Sequence, residues 1–258
     1  MPTGWMALDE MTSGLRGNEL IVLAARPGQG KTAFVGNMLA YLCRKSHAAW
    51  MCSLEMATSE LIERFVGMLS RVDNKAMRQG TFEEVDEYNI SEALAEINRW
   101  PLFVDDTAGQ TITSICGKAR AQHARNKIKL IVIDYLQLIE PDDRKIPREQ
   151  QVSEFSRKLK LLAKALKVPV IALAQLNREA EKGKPKLAHL RESGAIEQDA
   201  DQVWFLHSPD AADKDDRPGE TDLIIAKNRH GPCGEITFRF DRKFGRFRDN
   251  VFVTDETF

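Results

Sequence analysis

The sequence has little of what marks membrane, secreted or metal-binding proteins. None of its apolar runs approaches the roughly 20 residues needed to span a bilayer, and its first residues lack the charged-then-apolar pattern of a secretory signal. Its four cysteines are scattered and form no Cys-x-x-Cys pair, so neither a zinc site nor a disulfide framework is indicated. We therefore expect a cytoplasmic protein with reduced thiols and no membrane partner.

An excess of either charge is also missing. Lysine and arginine number 37 against 38 aspartates and glutamates, so overall charge gives no argument for a nucleic-acid partner. No serine-rich linker, repeat or change of composition divides the chain. Because 258 residues with 43% hydrophobic side chains can bury a full core, we predict one domain over residues 1–258.

The pattern that is present is an alternation of short apolar runs with helical periodicity, which predicts an α/β fold, a mainly parallel sheet flanked by helices. The predicted strands are Leu20–Ala24, Ala48–Ser53, Leu102–Val104, Leu130–Asp134, Pro169–Ala174 and Gln202–Leu206. The predicted helices are Thr32–Lys45, Ser59–Ser70, Glu83–Asn98, Thr111–Asn126 and Val152–Leu166. Glycine-rich turns separate three later strands, which predicts antiparallel pairing at the sheet edge. These strands are Leu223–Ala226, Glu235–Phe240 and Arg246–Phe252.

The most specific pattern is a phosphate-binding loop between the first strand and the first helix, Ala25-Arg26-Pro27-Gly28-Gln29-Gly30-Lys31-Thr32. Successive N–H groups of such a loop, with the positive end of the helix dipole, attract phosphate oxygens. Lys31 would contact the β- and γ-phosphates and Thr32 the Mg²⁺ ion. The usual pattern opens with glycine, but Ala25 fits wherever φ is negative. Because a bare Gly-Lys-Thr also occurs at ordinary helix starts, the flanking strand and helix carry the prediction.

Polar residues follow three other predicted strands, whose carboxyl ends should meet at one edge of the sheet. Asp134 is expected to hold Mg²⁺ through water while Thr32 binds the ion directly; the alternative is a structural carboxylate. Glu55 could orient and deprotonate the water that attacks the γ-phosphate, or could simply lie at the N-terminus of the helix that starts around Thr58. Gln175 could sense the γ-phosphate.

Five motifs together resemble one family, the motor domain of replicative hexameric DNA helicases of the DnaB type. They are Ala25–Thr32, Ser53-Leu54-Glu55-Met56, Ile133-Asp134-Tyr135-Leu136-Gln137, Gln175-Leu176-Asn177-Arg178 and Arg191–Asp201. The resemblance runs from about Thr3 to Asn250 with the motifs in the family's order, and an opening alanine in the loop is typical of that family. It implies a RecA-like P-loop NTPase that uses ATP and Mg²⁺. It further implies ATP sites between neighbouring subunits of a ring threaded by single-stranded DNA.

Residue roles also follow from the resemblance. Glu55 is implied to polarise water, and Gln175 to couple the state of the nucleotide to DNA-facing loops. Lys227 and Arg229 match residues that reach into the next subunit's site, where positive charge stabilises the transition state. Without the resemblance, these two would be read as solvated cations before a turn. Arg64 is implied to face the phosphates.

The same resemblance implies where DNA is contacted. Residues Arg191, Glu192 and Gly194 match the family's DNA-contacting loop, where side chain and backbone grip successive phosphates without reading base identity. A second pore loop would fall at Pro141–Gln151, for which a surface loop is the alternative.

The implied partners are further copies of the chain in a hexameric ring, single-stranded DNA, and a helicase loader or primase, in a bacterial or phage-infected cell. Family members carry an N-terminal helical domain and a linker helix, and this chain starts at the motor domain, so a monomer is expected to bind ATP but hydrolyse it poorly. Two other functions share part of the pattern. One is a RecA-like recombinase or clock-type ATPase, and the other is a nucleotide-dependent docking module for a loader or primase.

Overall fold

The computed structural model describes residues 1–143, 145–177, 183–190, 194–209 and 217–250. Its strands are β1 Leu20–Ala25, β2 Ala49–Ser53, β3 Leu102–Asp105, β4 Leu130–Asp134, β5 Val170–Gln175, β6 Gln202–His207, β7 Glu220–Asn228, β8 Gly234–Asp241 and β9 Arg246–Asp249. Its α-helices are α1 Met6–Thr12, α2 Lys31–Arg44, α3 Thr58–Ser70, α4 Asn74–Gln79, α5 Glu84–Ile97, α6 Ile112–Asn126, α7 Arg148–Leu166 and α8 Gly194–Asp199. Short 3₁₀ turns lie at Leu136–Leu138 and Leu187–His189.

The nine strands of the described ranges form one sheet in the order β3-β2-β4-β5-β1-β6-β7-β8-β9. The pairs from β3 to β6 are parallel, and those from β6 to β9 are antiparallel. Every residue of β1, β2, β4 and β6 is buried, as expected where helices cover both faces of a parallel sheet. One apolar cluster joins the sheet to α2 and α3, and a second joins its other face to α6 and α7. The predicted α/β architecture is confirmed.

Three predicted elements need correction at their ends. Strand β7 runs over Glu220–Asn228 and extends beyond the predicted Leu223–Ala226 at both ends. Helix α7 begins at Arg148, not at Val152. The last four residues of the predicted pore loop Pro141–Gln151 are therefore helical. Gln151 is buried in the first turn and Glu149 complements the positive end of the helix dipole. The last strand ends at Asp249, and the rest of its predicted range lies beyond the described residues except for Asn250. Helices α1, α4 and α8 were not predicted, because each is only six or seven residues long.

The sheet has two edges that matter for function. We call the edge where β1, β2, β4 and β5 end the carboxyl edge, and the edge where they begin the amino edge. Strand β7 ends at the amino edge, because its Asn228 pairs with Gln202 and Gln202 pairs with Ile21 near the start of β1. Across the described ranges, no helix is both long and apolar enough to cross a membrane.

Candidate nucleotide-binding site

The phosphate-binding loop lies at the carboxyl edge, between Ala25 at the end of β1 and Lys31 at the start of α2. Gly28 and Gly30 have φ values of 73° and 86°, in the left-handed region that favours glycine. A Cβ on Gly30 would also lie 2.9 Å from the ring of Phe240. Ala25 has the backbone of the strand, so the alanine that replaces the usual glycine causes no strain.

Side-chain hydrogen bonds tie this loop to the rest of the fold. Gln29 is buried and its Oε1 accepts from the backbone N–H of Ser208 at 2.7 Å. Arg26 Nη2 donates to the carbonyl of Gly183 at 3.0 Å, and Arg242 Nη1 donates to the carbonyl of Gly28 at 3.4 Å. The side chains of Arg26 and Gln29, predicted to bind nucleotide, therefore hold the loop in shape.

Lys31, Thr32 and Asp134 form the centre of the site. Thr32 Oγ1 donates to Asp134 Oδ2 at 2.8 Å. Burial raises the pKa of Asp134, although the Thr32 hydrogen bond and the charge of Lys31 oppose the rise. Burial likewise lowers the pKa of Lys31, against the attraction of Asp134 and Glu55. Two opposite charges are thus held partly desolvated beside the loop, which is a common property of functional sites.

Glu55 lies just beyond the end of β2, where Ser53 pairs with Asp134. It is exposed and near enough to Lys31 and Asp134 to affect the pKa of both. The alternative role for Glu55, a helix cap, is filled by other residues. Asp106 accepts from the backbone N–H of Thr58 at 2.7 Å, and Glu60 accepts from the backbone N–H of Ala57 at 3.3 Å.

Arg64 and Gln175 complete this side of the site. Arg64, on α3, lines a cleft of about 410 Å³ beside the loop, and its charge opposes the rise in the pKa of Asp134. Gln175 is the last residue of β5 and pairs with Ala25, where the loop begins. The predicted residues that the structure brings together at the carboxyl edge are Lys31, Thr32, Glu55, Arg64, Asp134 and Gln175.

Lys227 and Arg229 lie at the amino edge, roughly 15 Å from the loop, the length of one strand of the sheet. Lys227 Nζ donates to the carbonyls of Glu197 and Ala200, the latter at 2.7 Å. Arg229 Nη1 lies 3.3 Å from Asp201 Oδ1. Burial lowers the pKa of Lys227, and the charge of Arg229 lowers it further. Neither cation can reach the phosphate loop of its own chain.

The predicted DNA-contacting residues are only partly visible. Arg191 and Glu192 lie outside the described residues. Gly194 is exposed and begins α8, and a Cβ built there would meet no atom within 4 Å. Helix α8 is held against α7 by a hydrogen bond from Ser156 Oγ to Asp199 Oδ2 at 2.7 Å.

Comparisons with known proteins agree with this geometry. Residues 1–249 match the family model described as DnaB-like helicase C terminal domain. The chain belongs to this family. It is 43% identical over 96% of its length to the replicative DNA helicase DnaB of Leifsonia xyli subsp. xyli, and 39% identical over 96% to the replicative DNA helicase DnaC of Bacillus subtilis. The chain spans 56% of the length of each of these relatives.

Two solved structures share the fold. One of them, an ATPase domain, superposes with a TM-score of 0.93 at 35% identity, covering 97% of this chain and 91% of that one. A DnaB-like replicative helicase, studied with its interactions with primase, gives a TM-score of 0.93 at 36% identity, covering 97% of this chain and 63% of that one. The RecA-like fold implied by the motifs is thereby confirmed.

Several residues of the site had no role in the sequence prediction. Asp201 and Gln137 stood in quoted motifs but were given no function. Asp201 anchors Arg229, and Gln137 contacts the backbone of Gln175. Asp106 caps α3 across a separation of 48 residues. Their positions at strand ends were the available signal, but their partners are set by tertiary contacts.

Proposed function

We propose that the chain is an ATP-dependent DNA helicase motor domain, which hydrolyses ATP to move along single-stranded DNA and unwind duplex at the replication fork. The observation that carries this proposal is the contact of Thr32 with Asp134 beside Lys31, in a glycine-bent loop at the start of a helix. The relatives named replicative DNA helicases support the assignment of DNA as the track.

The residues present fit Mg²⁺ and a nucleoside triphosphate. Thr32 and Asp134 offer oxygen ligands, which Mg²⁺ prefers. No cluster of three or more metal-ligating side chains occurs among the described residues, so phosphate oxygens and water would complete the ion's coordination. Helix α2 starts with no side-chain cap and no acidic residue in its first turn, which leaves its first N–H groups available to an anion. When bound, the ion neutralises charge on the β- and γ-phosphate oxygens.

Each side chain at the carboxyl edge then has a role in hydrolysis. Lys31 binds the phosphates with its partly buried ammonium, and Asp134 and Thr32 hold the metal. Glu55, exposed at the mouth of the site, orients the attacking water and accepts its proton. Arg64 adds positive charge along the cleft, and Gln175 responds to the presence of the γ-phosphate.

The second half of the site comes from a neighbouring copy in a homo-oligomeric ring, in our proposal. Lys227 and Arg229 lie at the opposite edge of the sheet from their own loop, so only a second chain can bring them to the phosphates. A ring of heterologous contacts gives each copy one site of this kind. Residues Arg191, Glu192 and Gly194 contact single-stranded DNA. Primase and a helicase loader are proposed partners, and the solved DnaB-like helicase that interacts with primase supports the former.

The test is ATP hydrolysis by the full chain with and without single-stranded DNA. We expect hydrolysis that DNA stimulates, that Lys31→Ala abolishes, and that Glu55→Gln lowers in kcat by about 10²-fold or more, because a general base is lost. Glu87→Gln, an exposed carboxylate on α5, is the matched control and should leave kcat unchanged. An unchanged kcat in Glu55→Gln would remove that residue from catalysis. Absence of any Lys31-dependent hydrolysis would reject the function.

A further inference from the structure

Among the residues that the structure describes, no strand pairs with the last part of β5 on one side. Strand β4 pairs with β5 only as far as Ile133 opposite Ala172, and then turns away into the 3₁₀ turn Leu136–Leu138. On its other side β5 stays paired with β1 up to Gln175 opposite Ala25. The residue proposed to respond to the γ-phosphate is therefore supported by a strand on one side only.

The side chain of Gln137 takes the place of the missing strand. Its Oε1 accepts from the backbone N–H of Gln175 at 3.2 Å, and its Nε2 donates to the carbonyl of the same residue at 3.2 Å. A primary amide has one acceptor and two donors in a plane, so it can reproduce the pair of bonds that a neighbouring strand makes. A carboxylate lacks the donor, and an aliphatic side chain lacks both groups.

Gln137 is itself held by the start of α7. Arg148 Nη2 donates to the carbonyl of Gln137 at 2.8 Å, and Nη1 donates to Gln151 Oε1 at 3.0 Å. The guanidinium also lies 5.7 Å from the ring centroid of Phe155, which is fully buried. A planar, always-charged guanidinium makes such multiple contacts with little freedom. The first turn of α7 is thus linked through Gln137 to the end of β5.

We propose that Gln137 is a positioning residue, which holds Gln175 in register with Ala25 so that the Gln175 side chain faces the bound γ-phosphate. Side chains alternate along a strand, so a slip of one residue would turn Gln175 to the other face of the sheet. The inference rests on the proposed function, because it assumes that Gln175 acts on the nucleotide. Arg148 supports the same arrangement one step further away.

The test compares Gln137→Leu and Gln137→Glu with the wild-type chain in ATP hydrolysis. Leucine is similar in size but makes neither bond, and glutamate keeps the acceptor and loses the donor. We expect kcat to fall about tenfold in both variants, since small displacements of a catalytic group cost rate rather than binding. The KM for ATP should change less than about twofold, and stimulation by single-stranded DNA should be lost. Gln122→Leu on α6 is the matched control, with unchanged kinetics.

Two further measurements separate the possible failures. Lys31→Ala in the same assay reports on the proposed function alone, because Lys31-dependent hydrolysis must exist before Gln137 can affect it. Given such hydrolysis, unchanged kcat and DNA stimulation in Gln137→Leu would overturn the positioning role. An increase in the KM of Gln137→Leu as large as its loss of kcat would also overturn the positioning role. The same holds if Gln137→Leu unfolds at a lower temperature than the wild-type chain and regains normal kinetics on cooling, because its defect would then be one of stability. Arg148→Lys should give a weaker version of the same kcat loss, and it tests the link if Gln137→Leu does not fold.

Discussion

The buried charges at the two edges of the sheet differ in how far they are matched by partners within the chain. At the carboxyl edge, Lys31 and Asp134 are partly desolvated, and burial dominates the pKa shift of each. At the amino edge, Asp201 is buried but accepts from Leu20 N at 2.8 Å and Lys160 Nζ at 2.5 Å, besides its contact with Arg229. Charge whose burial the fold compensates only in part is common where a ligand binds. The carboxylate of Asp201, in contrast, is matched by donors of the chain itself and connects β1 to α7.

One carboxylate at the amino edge departs from this contrast. Glu19 is buried, and its Oε2 accepts from Gln202 Nε2 at 2.8 Å. Its Oε1 has no hydrogen-bond partner within the described ranges, and His230 Nε2 lies 3.8 Å from it. His230 follows Arg229 directly, so this unsatisfied oxygen lies near the cations that we propose act in trans.

The largest effect that separates the edges is expected from Arg229→Ala. Loss of an arginine that stabilises the transition state should lower kcat by about 10³-fold, with ATP affinity nearly unchanged. Because the side chain is 46% exposed, loss of its ion pair with Asp201 should cost less than about 1 kcal/mol of unfolding free energy. Steady-state hydrolysis and urea unfolding measure the two quantities, with Arg239→Ala on β8 as control. A large loss of stability with normal kcat would make Arg229 a structural residue.

Asp201→Asn, also at the amino edge, is expected to lower stability and to leave nucleotide binding unchanged. This change leaves Lys160 and Arg229 without their shared carboxylate, and we expect the free energy of unfolding to fall by about 2–3 kcal/mol. Affinity for ATP should not change, because the phosphate loop lies at the other edge. Urea unfolding and nucleotide titration test this pair of outcomes, with exposed Asp143→Asn as control. Equal weakening of ATP binding would show that the edges are not independent.

The smallest expected difference between the edges is in the reactivity of their cysteine thiols. Cys52, next to the carboxyl edge, is buried and its pKa is raised by burial to about 12, and burial has the same effect on Cys43. Burial also raises the pKa of Cys116, whereas Cys233 is exposed in the turn between β7 and β8 at the amino edge. A thiol reagent near pH 8 should modify one thiol per folded chain and all four in denaturant. Rapid modification of Cys52 without denaturant would show that the carboxyl edge is open to solvent.

The sequence was enough to predict the elements that local chemistry determines. Apolar runs such as Leu130–Asp134 predict buried strands, and the loop from Ala25 to Thr32 has its own spacing. The meeting of Glu55, Asp134 and Gln175 at one edge follows from the parallel arrangement of strands. Contacts made by side chains with distant backbone groups leave no such periodic pattern.

Three contacts show what could not be predicted. Asp106 caps α3 although Glu55 is closer in sequence, because β3 ends beside that helix. Gln137 replaces a strand only because β4 turns away before β5 ends. Lys227 contacts carbonyls at the end of α8, which depends on the pairing of β7 with β6. Each depends on how elements distant in sequence pack together.

The central claim, that one site is built from the carboxyl edge of one chain and the amino edge of another, is tested most directly by mixing two inactive variants. Lys31→Ala lacks a working loop and Arg229→Ala lacks the cation that we propose acts in trans. In an equal mixture, about a quarter of the sites should combine an intact loop with an intact cation, so hydrolysis should return to about that fraction. A mixture of Lys31→Ala with Glu55→Gln, both defective at the carboxyl edge, should stay inactive. If the first mixture is no more active than its components, the shared site is contradicted.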